Sequence, residues 1–177
     1  MDFVRFNAPS HPALMVYASA VNTEADIAHC PPCLLAAIMW RETGGTNELE
    51  IGVPPGPGCG VGLCQITSNV TWSSLSDPTY DGYHILTKPA DNLYVAAAYY
   101  ITPNLANAAR AQRDNPAAFA LACEGQEVMA VAAAYNGGWG IVQRAMDRSV
   151  SVDRFDTNGY GADVLRKYIT LVSESHA

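Results

Sequence analysis

Apolar side chains recur at intervals of three and four residues through most of the chain, and glycine and proline divide that pattern into segments. Leu14, Tyr17, Ala18 and Val21 keep one helical face. Ser10 stands ahead of them as a cap, with His11 and Pro12 in the first turn, so the pattern predicts a helix from there to about Ala28. Pro31 and Pro32 restart the chain, since proline suits a first turn whose N–H groups have no partner. Leu35, Ile38 and Glu42 then fall at i, i+3 and i+7, on one face. A carboxylate therefore continues the stripe that should meet the core, unless the helix has already reached solvent there.

Residues 44–62 are too rich in proline and glycine for a regular helix and read as a loop, with a small hairpin around Glu48 to Val53. Leu63 to Thr67 follows as a short turn, and Trp72 to Tyr83 as more loop or short helical turns. The next helix begins near Thr87 to Ala90 and carries Leu93, Ala97, Tyr100 and Ile101, with Pro103 expected to kink or end it. The run NLANAARAQR is helical again, as are Ala117 to Cys123 and Gln126 to Tyr135, the latter stopped by Asn136-Gly137-Gly138. Short helical stretches at Ile141 to Asp147 and Tyr160 to Val172 complete a mostly α chain with a small loop and hairpin region. Its 177 residues form one expected domain, residues 1–177, without repeats or linker.

Composition narrows the function. Hydrophobic residues are 49% of the chain, enough for a packed core. Ten Lys+Arg stand against 17 Asp+Glu, a net charge of −7 with no basic run, which argues against a nucleic-acid partner. No apolar run has the roughly 18 residues of a membrane span. MDFVRFNAPSHP has no basic stretch followed by an apolar one, so no secretory signal is read there. The five cysteines, Cys30, Cys33, Cys59, Cys64 and Cys123, are an odd set for a disulfide framework. Cys30-Pro-Pro-Cys33 has redox-motif spacing without a βαβ setting, and four of the thiols have the type and spacing of a zinc site. The plainer reading is buried thiols with at most one disulfide, and no metal or cofactor is expected.

Three polar clusters sit at helix ends beside glycines: Arg41-Glu42-Thr43-Gly44, Gly62-Leu63-Cys64-Gln65-Ile66 and Ala134-Tyr135-Asn136-Gly137-Gly138. Glycine lets a backbone approach a ligand closely, although each cluster alone is ordinary helix punctuation. In this order and spacing, and with Tyr160-Gly161-Ala162-Asp163-Val164 opening the last helix, the set resembles the goose-type lysozyme and soluble lytic transglycosylase family over about residues 34–170. DNLYVAAAYYI also resembles the helix between that family's second and third motifs.

The resemblance implies a lysozyme-like α+β fold and cleavage of the β-1,4 bond between N-acetylmuramic acid and N-acetylglucosamine in peptidoglycan. By that resemblance Glu42 is the catalytic acid, Tyr160 orients it, and Thr43, Gly62, Leu63, Gln65, Ile66, Tyr135 and Asn136 hold the glycan. The residues alone leave Tyr135 and Tyr160 equally readable as core aromatics and Gln65 as an exposed polar side chain.

A carboxyl on an apolar face has its pKa raised, which suits an acid that must stay protonated. An inverting hydrolase needs a second carboxylate. Goose-type lysozymes place aspartates before and just after the Gly-Leu-Met-Gln motif, whereas here PPGPGCG and Thr67 stand there, and Cys64 replaces the methionine. Glu48 and Glu50 are the nearby loop acids. The departure favours a lytic transglycosylase with one Glu and 1,6-anhydromuramoyl products. A muramidase using Glu48 or Glu50, and a catalytically silent glycan-binding module, are the other readings. An acidic chain without a signal suggests a phage lysin or a subunit of a virion or secretion assembly, although a bacterial protein lacking its signal would look the same.

Overall fold

The computed structural model describes residues 3–46, 60–67 and 86–177. The chain is mostly helical, as the sequence pattern predicts. Helices α1 (Pro12–Met15), α2 (Ala18–Ala28) and α3 (Pro32–Thr43) lead to a two-stranded antiparallel ribbon, β1 (Gly60–Val61) and β2 (Ile66–Thr67). Then come α4 (Pro89–Val95), a π-helical turn (Ala96–Ile101), α5 (Thr102–Asp114), α6 (Pro116–Cys123), α7 (Glu127–Gly137), α8 (Trp139–Asp147) and, after two 3₁₀ turns, α9 (Tyr160–Ser175).

Two helices form the centre. Every residue from Pro32 to Met39 in α3 and from Val128 to Ala134 in α7 is buried, so both are apolar all round rather than striped. Helix α9 packs against both, α5 and α8 flank α7, and α2 packs on α3 and α4. This arrangement brings the C-terminal ends of α3 and α7 and the first residue of α9 to one side of the molecule. The N-terminal segment ties down the far end of α9: Ser10 Oγ donates to Glu174 at 2.7 Å, and Ser175 Oγ donates to Asn7 O at 3.1 Å.

The predicted first helix is two. It stops at Met15 and restarts at Ala18, with His11 and Tyr17 in the capping positions and no side-chain cap at either. Ser10 does not cap it, because its hydroxyl is engaged with Glu174. Pro103 ends nothing. The Thr102 N–H reaches back five residues to Ala97 O, and Pro103 follows in the first turn of α5, a position that proline tolerates. The Tyr100 carbonyl accepts from Asn104 Nδ2 at 2.8 Å. Gly62 to Gln65 is the turn joining two strands, where the sequence suggested an isolated turn. The expected hairpin at Glu48 to Val53, the acids Glu48 and Glu50, Cys59, and the segment Trp72 to Tyr83 lie outside the described residues.

Candidate active site

Helix α3 runs apolar until its last turn, where Gly44, at φ +69°, closes it. Glu42 stands in that turn. Its Oε1 accepts a hydrogen bond from Tyr160 Oη at 2.5 Å, across 118 residues of chain. Tyr160 is buried at the start of α9, the helix that packs along α3, so the contact follows from the packing of those two helices. Burial raises the pKa of Glu42 above the ordinary carboxylate value, opposed by the Tyr160 hydrogen bond and by the charge of Arg41. Burial, the Glu42 charge and the shared hydrogen bond push the Tyr160 phenol far up, so it stays a donor.

Arg41 lies over the Tyr160 ring, 5.3 Å from its centroid, and its Nε is 3.3 Å from Asp163 Oδ2. Asp163 also takes Lys167 Nζ at 2.7 Å and Arg166 at 3.1 Å. Burial works against ionisation of Asp163, but these cations hold it below its ordinary value. Arg41 thus shares one carboxylate with Lys167 and Arg166.

The Gly62–Gln65 turn is the second wall. Thr43 Oγ1 lies 3.0 Å from Leu63 O, joining the residue after Glu42 to the turn. Tyr135 Oη, from the last turns of α7, donates to Cys64 O at 2.6 Å. Gln65 takes a left-handed backbone (φ +50°) and its amide donates back to Gly62 O at 2.9 Å. Gly62 is at φ +71°, and a Cβ there would meet Asn92 Nδ2 at 2.3 Å, so glycine is required both by conformation and by space. Leu63, Cys64 and Ile66 are core side chains. Of the sequence-selected residues, Leu63 and Ile66 can thus face a ligand only through their backbone.

Two residues of this site were not selected from the sequence. Asn92 is fully buried and holds the turn from behind: its Oδ1 accepts from Cys64 N at 2.9 Å, and its Nδ2 donates to Val61 O at 2.8 Å and Leu86 O at 3.0 Å. Asp156 is buried between α7 and α9. Its Oδ1 accepts from Asn136 Nδ2 at 2.9 Å and its Oδ2 from Gly161 N at 2.5 Å. It therefore fixes both Asn136 and the first turn of the helix that carries Tyr160. The available signal was a polar residue beside apolar neighbours, Asn92 before Leu93 and Asp156 after Phe155, but ordinary surface positions give the same signal.

Glu42, Thr43, Gly62 to Gln65, Tyr135 and Tyr160 are thus joined by direct contacts, and Asn136, itself exposed, is linked to them through Asp156 and α9. A protein-family model described as the transglycosylase SLT domain matches residues 19–157. The chain belongs to that family. No curated protein matches it. The SLT domain is a glycosidic-bond-cleaving module of lytic transglycosylase type, and its substrate is the glycan of peptidoglycan. The matched region carries Glu42 and all three glycine-flanked clusters, but it ends just before α9.

Among the described residues no group of three or more His, Cys, Asp and Glu side chains is arranged to hold a metal ion. Cys30, Cys33, Cys64 and Cys123 are free and buried. Burial pushes the thiols of Cys30 and Cys123 up to about 12. Cys64 is raised by burial first and then by the Glu42 charge, which keeps it a neutral, space-filling neighbour of the site. Among the described residues no single helix is long and apolar enough to cross a membrane.

Proposed function

We propose that the chain is a peptidoglycan lytic transglycosylase in which Glu42 acts alone, first as acid and then as base. The observation that carries this reading is the setting of Glu42. Burial favours its protonated form and Tyr160 holds it in place, while PPGPGCG and Thr67 stand, without an aspartate, on either side of the Gly62–Gln65 turn. Protonated Glu42 gives its hydrogen to the glycosidic oxygen as that bond breaks, and the muramoyl ring becomes cation-like. The Glu42 carboxylate then takes the proton from the C6 hydroxyl of the N-acetylmuramoyl unit, whose oxygen closes on C1. The products are a 1,6-anhydromuramoyl end and an N-acetylglucosamine end with a free C4 hydroxyl. Atoms balance without water. The exposed amide of Asn136, with Gln65, Tyr135 and the backbone of the Gly62–Gln65 turn, holds the glycan across Glu42. The proposed catalytic unit is the whole chain, residues 1–177, because α9 supplies Tyr160.

Mass analysis of fragments released from isolated sacculi tests this. Anhydro ends, lighter than hydrolysed ends by one water, are expected throughout. Reducing ends in their place would assign the chain to the hydrolytic, goose-type muramidase mechanism, with Glu48 or Glu50 as the candidate base. A second test addresses Tyr160. Its hydrogen bond favours ionised Glu42, so Tyr160→Phe raises the Glu42 pKa further. The alkaline limb of the pH–rate profile is expected to move upward, while kcat/KM at the optimum falls about tenfold through lost orientation. A downward shift of that limb would remove Tyr160 from its positioning role.

A further inference from the structure

A surface cavity of about 290 Å³ is bounded by the C-terminal half of α5, the start of α6 and the length of α8. Trp139 and Met146 form its apolar side. Asn107, Arg110, Asn115 and Gln143 face it with amides and a guanidinium. Asn107 and Arg110 make no side-chain hydrogen bond or ion pair among the described residues, and neither does the indole N–H of Trp139. Asn115 uses its oxygen on Ala118 N, and Gln143 uses its amide nitrogen on Asp147, which leaves one a free donor and the other a free acceptor. Asp114, the one acid among the described lining residues, is paired with Arg113.

A half-buried indole beside amide donors and acceptors matches an N-acetylated sugar. The C–H face of a pyranose is apolar and lies on an aromatic ring, while its hydroxyls and acetamido group need both donors and acceptors at the edge. A polyanion is a poor match, since Arg110 is the one cation among the described lining residues. One lining residue lies close along the chain to the site already described. Trp139 follows Asn136 by three residues, so their Cα atoms are no more than about 11 Å apart.

We propose that this cavity is a second glycan-binding site, which takes an N-acetylhexosamine unit and holds the strand while the Glu42 site cleaves it. The proposal rests on peptidoglycan glycan as the substrate, and not on the single-acid mechanism.

The test uses the full chain carrying Glu42→Gln, titrated with chitotriose and followed by the indole N–H resonances. The Trp139 signal is expected to move with saturation. In an added Asn107→Ala, Gln143→Ala pair, which changes no core side chain, that response should weaken at least fivefold. In the otherwise native chain the same pair should release the protein from pelleted sacculi, yet leave the turnover of short soluble glycan fragments unchanged. A Trp139 resonance that does not move with chitotriose overturns the proposal. So does one that moves with a stem tetrapeptide instead, or a pair variant that binds chitotriose like its parent. Retained cleavage by Glu42→Gln would defeat the mechanism proposed above and leave the titration readable.

Discussion

Glu42→Gln is expected to lower glycan cleavage about 10²- to 10⁴-fold, the range a single positioned acid–base group supplies. The substitution is nearly isosteric, and the glutamine oxygen can still accept from Tyr160 Oη, so the lost activity cannot be ascribed to a collapsed site. Release of soluble fragments from sacculi measures it, and near-native release would remove Glu42 from the mechanism. The same variant carries a stability prediction of opposite sense. The folded pKa of Glu42 is raised, chiefly by burial. Its protonated form therefore adds stability that is fully present below the ordinary carboxylate pKa and is lost as pH rises through the folded value. Glutamine is neutral at every pH. The variant should match the native chain in acid and be the more stable above that window, as paired denaturant titrations at acid and neutral pH would show. With Glu42 as the proposed proton donor, the native chain is expected to show an alkaline limit on activity where that titration removes the proton.

Asn92→Ala should have the largest effect on folding. One buried amide serves three backbone groups, Cys64 N, Val61 O and Leu86 O. Alanine leaves all three without that partner, at about 1–3 kcal/mol for each group that stays buried and unmet. A total of about 3 kcal/mol or more corresponds to a Tm lower by roughly 6–12 °C for a chain of this size. Activity should fall as well, since the freed turn carries the carbonyls that Thr43 and Tyr135 hold. Asn92→Asp is no rescue: it keeps an acceptor for Cys64 N but removes both donations and buries a charge. Thermal unfolding of both variants checks this, and a Tm within 2 °C of the native chain, as an approximate threshold, would show that the turn is held by other contacts.

The helices were legible in the sequence because their signals are local. Proline at a first turn, glycine after a last one and apolar spacing between them set α3 and α7 with boundaries within about two residues of those observed. Errors arose where a local signal had a distant competitor. Ser10 looks like a cap, but Glu174 takes its hydroxyl. Pro103 looks like a kink or an end, and the helical path instead continues past it after a π-helical turn. The side chain of Ile66, grouped with the glycan-holding residues by its motif, lies in the core and leaves that role to its backbone.

The sequence by itself determined the mostly α chain, the residue types of the three glycine-flanked clusters, and the resemblance that groups Glu42, Gln65, Tyr135, Asn136 and Tyr160. These depend on neighbours along the chain and on motif order. Only the tertiary structure decided that Tyr160 Oη meets Glu42, that Asn92 supports the Gly62–Gln65 turn, and that Asp156 ties Asn136 to the start of α9. The physical reason is that a buried polar group must find its partner wherever packing places one, and here the partners come from helices up to 118 residues apart.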